Sequence, residues 1–319
     1  MEACWRDGRE RGAVVNVLAD ALARRLEWLP EGTTCFRWID GELPGVTVDR
    51  FGPVAVLSLY RDAPDEQAIA EALGGTDGVE AVYVKRRPRE ARKQANEAPE
   101  LLAPLLPIVG KALEALTVSE HGAQFEIRPG NGLSVGLYLD ARDARAWVRK
   151  NAGGRTVLNT FAYTCGFGVA ARLGGAKRAV NVDASRKVLD WGERNHSLNS
   201  MSVDRYDFVS GDTFDWLARF AKKGESFELV ILDPPGFATT RTSRFTAARD
   251  YHLLVEAAAK VTAPGGVILA MCNVEQTARA FEDQISRGLV GRQSREVSRF
   301  GAGSDFVQAD LRCHLVELT

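Results

Sequence analysis

The sequence has few of the features that announce a metal centre, a disulfide framework or a membrane protein. Its 319 residues include five cysteines, Cys4, Cys35, Cys165, Cys272 and Cys313, and no two form a Cys-x-x-Cys pair. Scattered thiols exclude a zinc ribbon or a disulfide scaffold and fit a reducing compartment. No stretch is long and apolar enough to span a bilayer, and Met1 to Arg11 is too charged for a signal peptide, so the expectation is a cytoplasmic chain without membrane association. A net charge of −1 gives the whole molecule no general attraction for nucleic acid, and any such contact must come from a local patch. There is no internal repeat, no low-complexity tract and no G-x-G-x-x-G, so a pyrophosphate is not the natural guest.

What is present is a soluble composition, 45% hydrophobic and 26% charged, long enough for two domains. Val14, Val15, Leu18, Leu22, Leu26 and Leu29 recur at helical spacing, with a stop at Pro30 and Gly32. Short β-like runs follow at Cys35–Ile39, Val46–Val48 and Val54–Leu59, then a helix over Glu66–Leu73 and a strand over Ala81–Lys85. This predicts a small α+β domain over residues 1–115. Arg86 to Pro107 reads as a surface loop. Gln124–Arg128 and Leu133–Leu139 flank Pro129-Gly130-Asn131-Gly132 and predict a hairpin, after which Asp140 predicts a helix N-cap.

From Thr156 the grammar changes to alternating strand and helix. Strands are expected at Thr156–Thr160, Arg178–Val182, Tyr206–Val209, Leu229–Leu232 and Val267–Met271. Continuous apolar strands between helices predict a doubly wound α/β sheet, mostly parallel, over residues 116–319. Arg295–Phe300 and Arg312–Glu317 read as closing strands, one of them antiparallel.

In such sheets ligands bind beyond the carboxyl ends of the strands, and those ends here are polar. The first strand leads into Asn159, Phe161, Tyr163, Gly166 and Gly168, a wide aromatic turn suited to a cationic guest or to core packing. The second ends on Asp183 at the spacing of a ribose-binding carboxylate, with Ser185 opening the next helix; a helix cap is the plainer alternative. Asp212 and Thr213 fit either a cap or an adenine contact. The fourth strand ends Asp233-Pro234-Pro235-Gly236-Phe237. A fully buried carboxylate is costly, so Asp233 is expected to face a cleft, held by two prolines that supply no competing N–H. A rigid acceptor beside an aromatic ring suits a nucleobase, with the acid on its amine edge and Phe237 on its face.

Together these stretches resemble the class I S-adenosylmethionine-dependent methyltransferases, and more closely the RlmI-type enzymes that form 5-methylcytosine in large-subunit ribosomal RNA. The likeness rests on "ELPGVTVDRFG", "SEHGAQFEI", "GLYLDARDAR", "NTFAYTCGFGVAA", "NVDASRKVLD" and "DPPGF", in that order. It implies a Rossmann-like methyltransferase domain and S-adenosyl-L-methionine as cofactor, with no metal. Carried over by position, Tyr138, Asp140 and Arg142 border the cofactor site, together with Asn159, Phe161, Tyr163, Cys165 and Gly166. Asp183, with Ala184 and Ser185, takes the ribose; Asp212 and Thr213 take the adenine; Asp233 faces both methyl donor and target base. Pro234, Pro235, Phe237 and Asn273 fall on the substrate side. Cys272 occupies the position of the family's nucleophile.

The cysteine has a chemical reason. Carbon 5 of cytosine is too electron-poor to take a methyl group directly, and thiolate addition at carbon 6 converts the ring to an enamine. Core packing is the plainer role for Cys272, because Met271 and Asn273 replace the family's serines; in that case the reaction falls on a nitrogen, as in the related guanine-N7 enzymes. Cys165 stands where relatives mostly have glycine. The forty or so residues before Gly41 are too few for the extra RNA-binding PUA domain with which the matched enzymes usually begin. Lys85, Arg86, Arg87, Arg89, Arg92 and Lys93 offer a basic loop for RNA, from naked ribosomal RNA to a ribosomal particle. A monomer or homodimer is expected. The rivals are a small-molecule methyltransferase on the same fold and a noncatalytic RNA-binding assembly factor.

Overall fold

The computed structural model describes residues 8–60, 66–87, 98–239, 244–274 and 276–319. Contacts divide the chain into two units, residues 1–139 with 304–308, and residues 140–303 with 309–319.

In the first unit, helix α1 (Gly8–Trp28) buries Val14, Leu18 and Ala21, one stripe at spacings of four and three. It lies against a sheet of five strands, β1 (Cys35–Asp40), β2 (Val46–Phe51), β3 (Val54–Leu59), β4 (Ala81–Arg86) and β5 (Val109–Gly110), in the order β1-β2-β3-β4-β5. Helix α2 (Glu66–Gly74) crosses between β3 and β4, which are parallel; the other neighbours are antiparallel. Trp38 is wholly buried, and its indole N–H donates to the Leu18 carbonyl at 2.9 Å, tying α1 to β1. A short helix α3 (Pro99–Leu102) and a hairpin of β6 (Leu116–Glu120) and β7 (Ala123–Ile127) complete the unit.

The hairpin departs from the sequence expectation. Its turn is His121-Gly122, both left-handed, and not Pro129–Gly132. Residues 133–139 form no strand; a single Arg128 N–H to Val135 bond spans the predicted turn. The hairpin belongs with the first unit because Thr34 N–H donates to Ser119 and Gly122 N–H to Gly32, both in that unit. The division therefore falls at Leu139/Asp140 and not at 115/116.

The second unit is built on a seven-stranded sheet, β10-β9-β8-β11-β14-β16-β15. Strands β8 (Thr156–Thr160), β9 (Arg178–Asp183), β10 (Phe208–Ser210), β11 (Phe227–Leu232) and β14 (Thr262–Cys272) are parallel, while β16 (Arg312–Leu318) runs antiparallel to both β14 and β15 (Ser294–Phe300). Strand residues alternate between two cores. Leu158, Val180, Val230, Leu232, Ile268 and Ala270 meet helices α7 (Thr213–Lys223), α8 (Ala247–Ala259) and α9 (Ala278–Gly288); Val157, Ala179, Leu229, Ile231 and Leu269 meet α4 (Arg142–Asn151) and α5 (Gly166–Leu173). Helix α6 (Arg186–Leu198) follows β9, and a small hairpin of β12 (Phe237–Thr239) and β13 (Arg244–Thr246) follows β11. This is the doubly wound Rossmann-like sheet predicted from the alternation. Chain order reverses between β8 and β11, so the crevice lies at the carboxyl ends of those two strands. Among the described residues no helix is long and apolar enough to cross a membrane.

Candidate active site

The turn after β8 is held in an unusual backbone. Phe161, Tyr163 and Cys165 have φ of 52°, 48° and 61°, three alternate non-glycine residues in the left-handed region. Each such residue costs roughly 1–3 kcal/mol and persists only where its surroundings fix it. The Asp183 carboxylate does so: it accepts the Tyr163 N–H at 2.8 Å and the Ser185 N–H at 2.9 Å. Burial pushes the Asp183 carboxyl above its usual range, against the opposing pull of those two N–H groups. Asp183 is thus more than a cap, because it joins the ends of β8 and β9; Ser185 and Ala184 are exposed beside it.

Phe161 stacks on Phe245 at 6.3 Å, and Tyr163 tilts against Trp191 at 6.2 Å. The Cys165 side chain is wholly buried against α6, so close that a methyl on Gly192 would fall 2.3 Å from Sγ. At this turn only the backbone of Cys165 can face a ligand. Asn159, also buried, donates to Asn181 Oδ1 at 2.9 Å. Its own Oδ1 has no hydrogen-bond partner among the described residues, a buried acceptor that a bound molecule's donor would satisfy. Gly168 makes room for this pair, since a Cβ there would lie 2.2 Å from Asn181 Oδ1. After β10, Asp212 caps α7, accepting from Phe214 N–H at 2.8 Å and Asp215 N–H at 3.2 Å, with Thr213 buried behind it.

Beyond β11 the chain reaches Asp233. Pro234 is buried and Pro235 exposed, and Gly236 lies where a Cβ would meet Val274 at 2.7 Å, so this loop packs against the end of β14. Burial, reinforced by the nearby Asp140 carboxylate and opposed by Arg145, pushes Asp233 up to about 7. Two acids and one guanidinium therefore converge at the switch point. Asp140 lies in a 3₁₀ turn, Leu139–Ala141, and not at the helix N-cap, which is Ala141; Arg142 and Arg145 are buried on α4. Phe237 is 52% exposed with the Arg244 guanidinium 5.1 Å above its ring, so one face of β12 presents an aromatic beside a cation.

Cys272 ends β14. Register sets Leu232 opposite Ala270, so Asp233 is level with Met271 and Cys272 stands one residue further along. Tyr251 ties the two strand ends together, its hydroxyl 3.1 Å from the Leu232 carbonyl and 2.9 Å from that of Met271. Cys272 is 2% exposed, and burial pushes its thiol up; Val274, Gln276 and Arg312 pull the other way. Gln276 Nε2 is 2.9 Å from Sγ, and its Oε1 is buried without a partner among the described residues. Asn273 is exposed at the strand end.

The second unit thus brings together Asp140, Arg142, the β8 turn, Asp183, Asp212, Asp233 and Cys272 at the carboxyl ends of its parallel strands. Tyr138, Arg86 and Arg87 belong to the first unit. Tyr138 Oη lies 2.7 Å from Ser134 Oγ. Arg86 is engaged with Glu66 and the Leu101 carbonyl, and Arg87 with Ser58 Oγ and the Leu133 carbonyl. Arg89, Arg92, Lys93 and Cys4 lie outside the described residues. Sequence reasoning overlooked Arg145 and Gln276. Arg145 is three residues past Arg142 on the same helix face, a signal already inside "GLYLDARDAR"; Gln276 follows a strand end with no periodicity to flag it.

Known proteins share this sequence and this fold. Ribosomal RNA large subunit methyltransferase I of Klebsiella pneumoniae strain 342 is 33% identical over 289 residues, 87% of this chain and 71% of that protein. The protein of the same name from Salmonella enteritidis PT4 is 33% identical over 88% of this chain and 71% of its own length. Among solved structures, the protein SMU.776, complexed with SAH, superposes with a TM-score of 0.86 over 96% of this chain and 81% of its own, at 24% identity. Residues 35–288 match the S-adenosylmethionine-dependent methyltransferase family. The chain belongs to that family, and it is an enzyme whose cofactor is S-adenosyl-L-methionine.

Proposed function

We propose that the protein methylates large-subunit ribosomal RNA, and that the product is 5-methylcytosine, formed through a Cys272 adduct. The observation that carries this reading is the meeting of a carboxylate, Asp233, and a thiol, Cys272, at the ends of adjacent strands, with an amide directed at the sulfur. The names of the curated relatives support the substrate class.

The cofactor, when bound, supplies an electrophilic methyl group on a sulfonium sulfur. The residues present fit it: Asp183 for ribose hydroxyls, the Asn159 acceptor and the fixed β8 turn for the amino-acid end, Asp212 and Thr213 beside the adenine, and Asp140, Arg142 and Asp233 around the methyl. Pro234 and Pro235 hold the Asp233 carboxylate so that it accepts from the exocyclic amine of the base. Phe237, with Asn273, receives the ring face. The Cys272 thiolate bonds to carbon 6, and the displaced electron pair at carbon 5 takes the methyl group. A base then removes the carbon 5 proton, the C–S bond breaks, and the thiolate is restored. Gln276 donates to the sulfur while it carries charge. Arg87 and the neighbouring basic residues contact phosphates.

One observation favours a second reading. Cys272 is almost wholly buried among Tyr251, Phe281 and other core residues. Methylation of a ring or exocyclic nitrogen needs no adduct, and the exposed Asn273 then orients the base.

Nucleoside mapping of ribosomal RNA by mass spectrometry, in cells with and without the protein, tests the function. The expected result is loss of one 5-methylcytosine, restored by the wild-type chain and not by Cys272→Ala. Restoration of a nitrogen-methylated nucleoside by that variant supports the second reading, and an unchanged ribosomal RNA rejects both.

A further inference from the structure

A row of polar side chains crosses the sheet of the first unit. Asp40 pairs with Thr47, Thr47 with Ser58, and Ser58 with Lys85, so the four share one face across β1 to β4. The neighbouring row, Ile39, Val48, Leu57 and Val84, lies in the apolar core on the other face. All four polar residues are buried, from 9% exposure at Thr47 to 0% at Lys85. Asp40 is saturated by Arg37 and by the backbone N–H groups of Val307 and Gln308. Ser58 Oγ receives Arg87 Nε at 3.4 Å. Thr47 Oγ1 and Lys85 Nζ have no hydrogen-bond partner among the described residues. Among the described residues the charge acting on Lys85 is the like charge of Arg87, and burial together with that charge pushes the amine down to about 8.

An ammonium group in a protein interior is ordinarily paired, and one without a counter-ion is among the costliest arrangements a fold retains. We infer that Thr47, Ser58, Lys85 and Arg87 form a binding site for a phosphate-type oxyanion. The row supplies ammonium and hydroxyl donors, Arg87 adds a guanidinium at Ser58, and the carboxylate of the row, Asp40, is already taken. A tetrahedral oxyanion offers acceptors in several directions and supplies the missing charge. Ser58 and Lys85 stand one residue from the ends of β3 and β4, so the row lies next to the margin of the sheet. Identifying the ion as an RNA phosphodiester, and not free phosphate, rests on the function proposed above; the chemistry of the row does not.

The test compares wild type with Lys85→Met, which keeps the stem and removes the charge. Anisotropy with a labelled large-subunit ribosomal RNA fragment, at several salt concentrations, should show about tenfold weaker binding and a salt slope smaller by about one. Calorimetry with inorganic phosphate forms the second arm. Loss confined to RNA supports the phosphodiester source, and loss confined to phosphate supports the free ion. A Lys85→Met protein that melts higher yet binds both as wild type does overturns the inference. Should that variant fail to fold, Thr47→Val removes an unpartnered hydroxyl from the same row and is expected to weaken binding about threefold. Wild-type protein that binds phosphate but no RNA sinks the RNA reading and leaves the oxyanion site standing.

Discussion

Gln276 Nε2 lies 2.9 Å from Cys272 Sγ, the one polar side chain hydrogen-bonded to that thiol among the described residues. A hydrogen bond to a charged group contributes about 1.5–3 kcal/mol, so Gln276→Leu should raise the thiol pKa and slow methylation by about 10–100-fold. The pH dependence of Cys272 alkylation by iodoacetamide checks this. A variant whose alkylation profile coincides with wild type would remove Gln276 from any part in positioning the sulfur.

Asp233 should make donor binding depend on pH. Its folded-state carboxyl sits at about 7, above the ordinary 3.8, so the folded protein holds a proton that the unfolded chain has released. Stability from this group is therefore present at low pH and lost as pH rises between about 4 and 7. Ionised Asp233 favours the cationic sulfonium, and its ionised fraction grows about tenfold from pH 6 to 8. Affinity for S-adenosylmethionine should rise by about that factor, and affinity for the demethylated product, whose sulfur is neutral, should rise much less. Parallel pH responses for the two ligands would place the acid away from the methyl.

Asp212 has two separable roles. Asp212→Ala removes the α7 cap and should cost about 1 kcal/mol by urea denaturation. Asp212→Ser restores a cap. If the carboxylate also holds the adenine, the serine variant recovers stability but not cofactor affinity; recovery of both leaves Asp212 a cap alone.

Gly168→Ala should be destabilising by about 1–3 kcal/mol, because the added methyl meets Asn181 Oδ1 at 2.2 Å. Displacing Asn181 also frees Asn159, so cofactor affinity should fall alongside stability. Loss of stability with unchanged affinity would separate Asn159 from the cofactor.

The parallel sheet was legible in the sequence because buried strands on both faces leave unbroken apolar runs, and four of those runs lead into polar residues that the fold sets on one rim. Asp183 and Asp212 could be read that way; Gln276 could not, since its meaning depends on how the chain leaves β14. The hairpin was misplaced for a local reason. Asn131-Gly132 is the stronger turn signal by composition. Gly130, however, packs against the Leu105 carbonyl, and His121 takes a left-handed conformation that its identity does not advertise. The polar row in the first sheet was hidden as well, since strand pairing, and not spacing along the chain, aligns Thr47, Ser58 and Lys85.

Because Phe161, Tyr163 and Cys165 fix the β8 turn through backbone torsion, that wall cannot be resized by exchanging side chains alone. Redesign of that turn therefore means rebuilding its torsions, and glycine is the exchange that positions 161, 163 and 165 would carry with least strain.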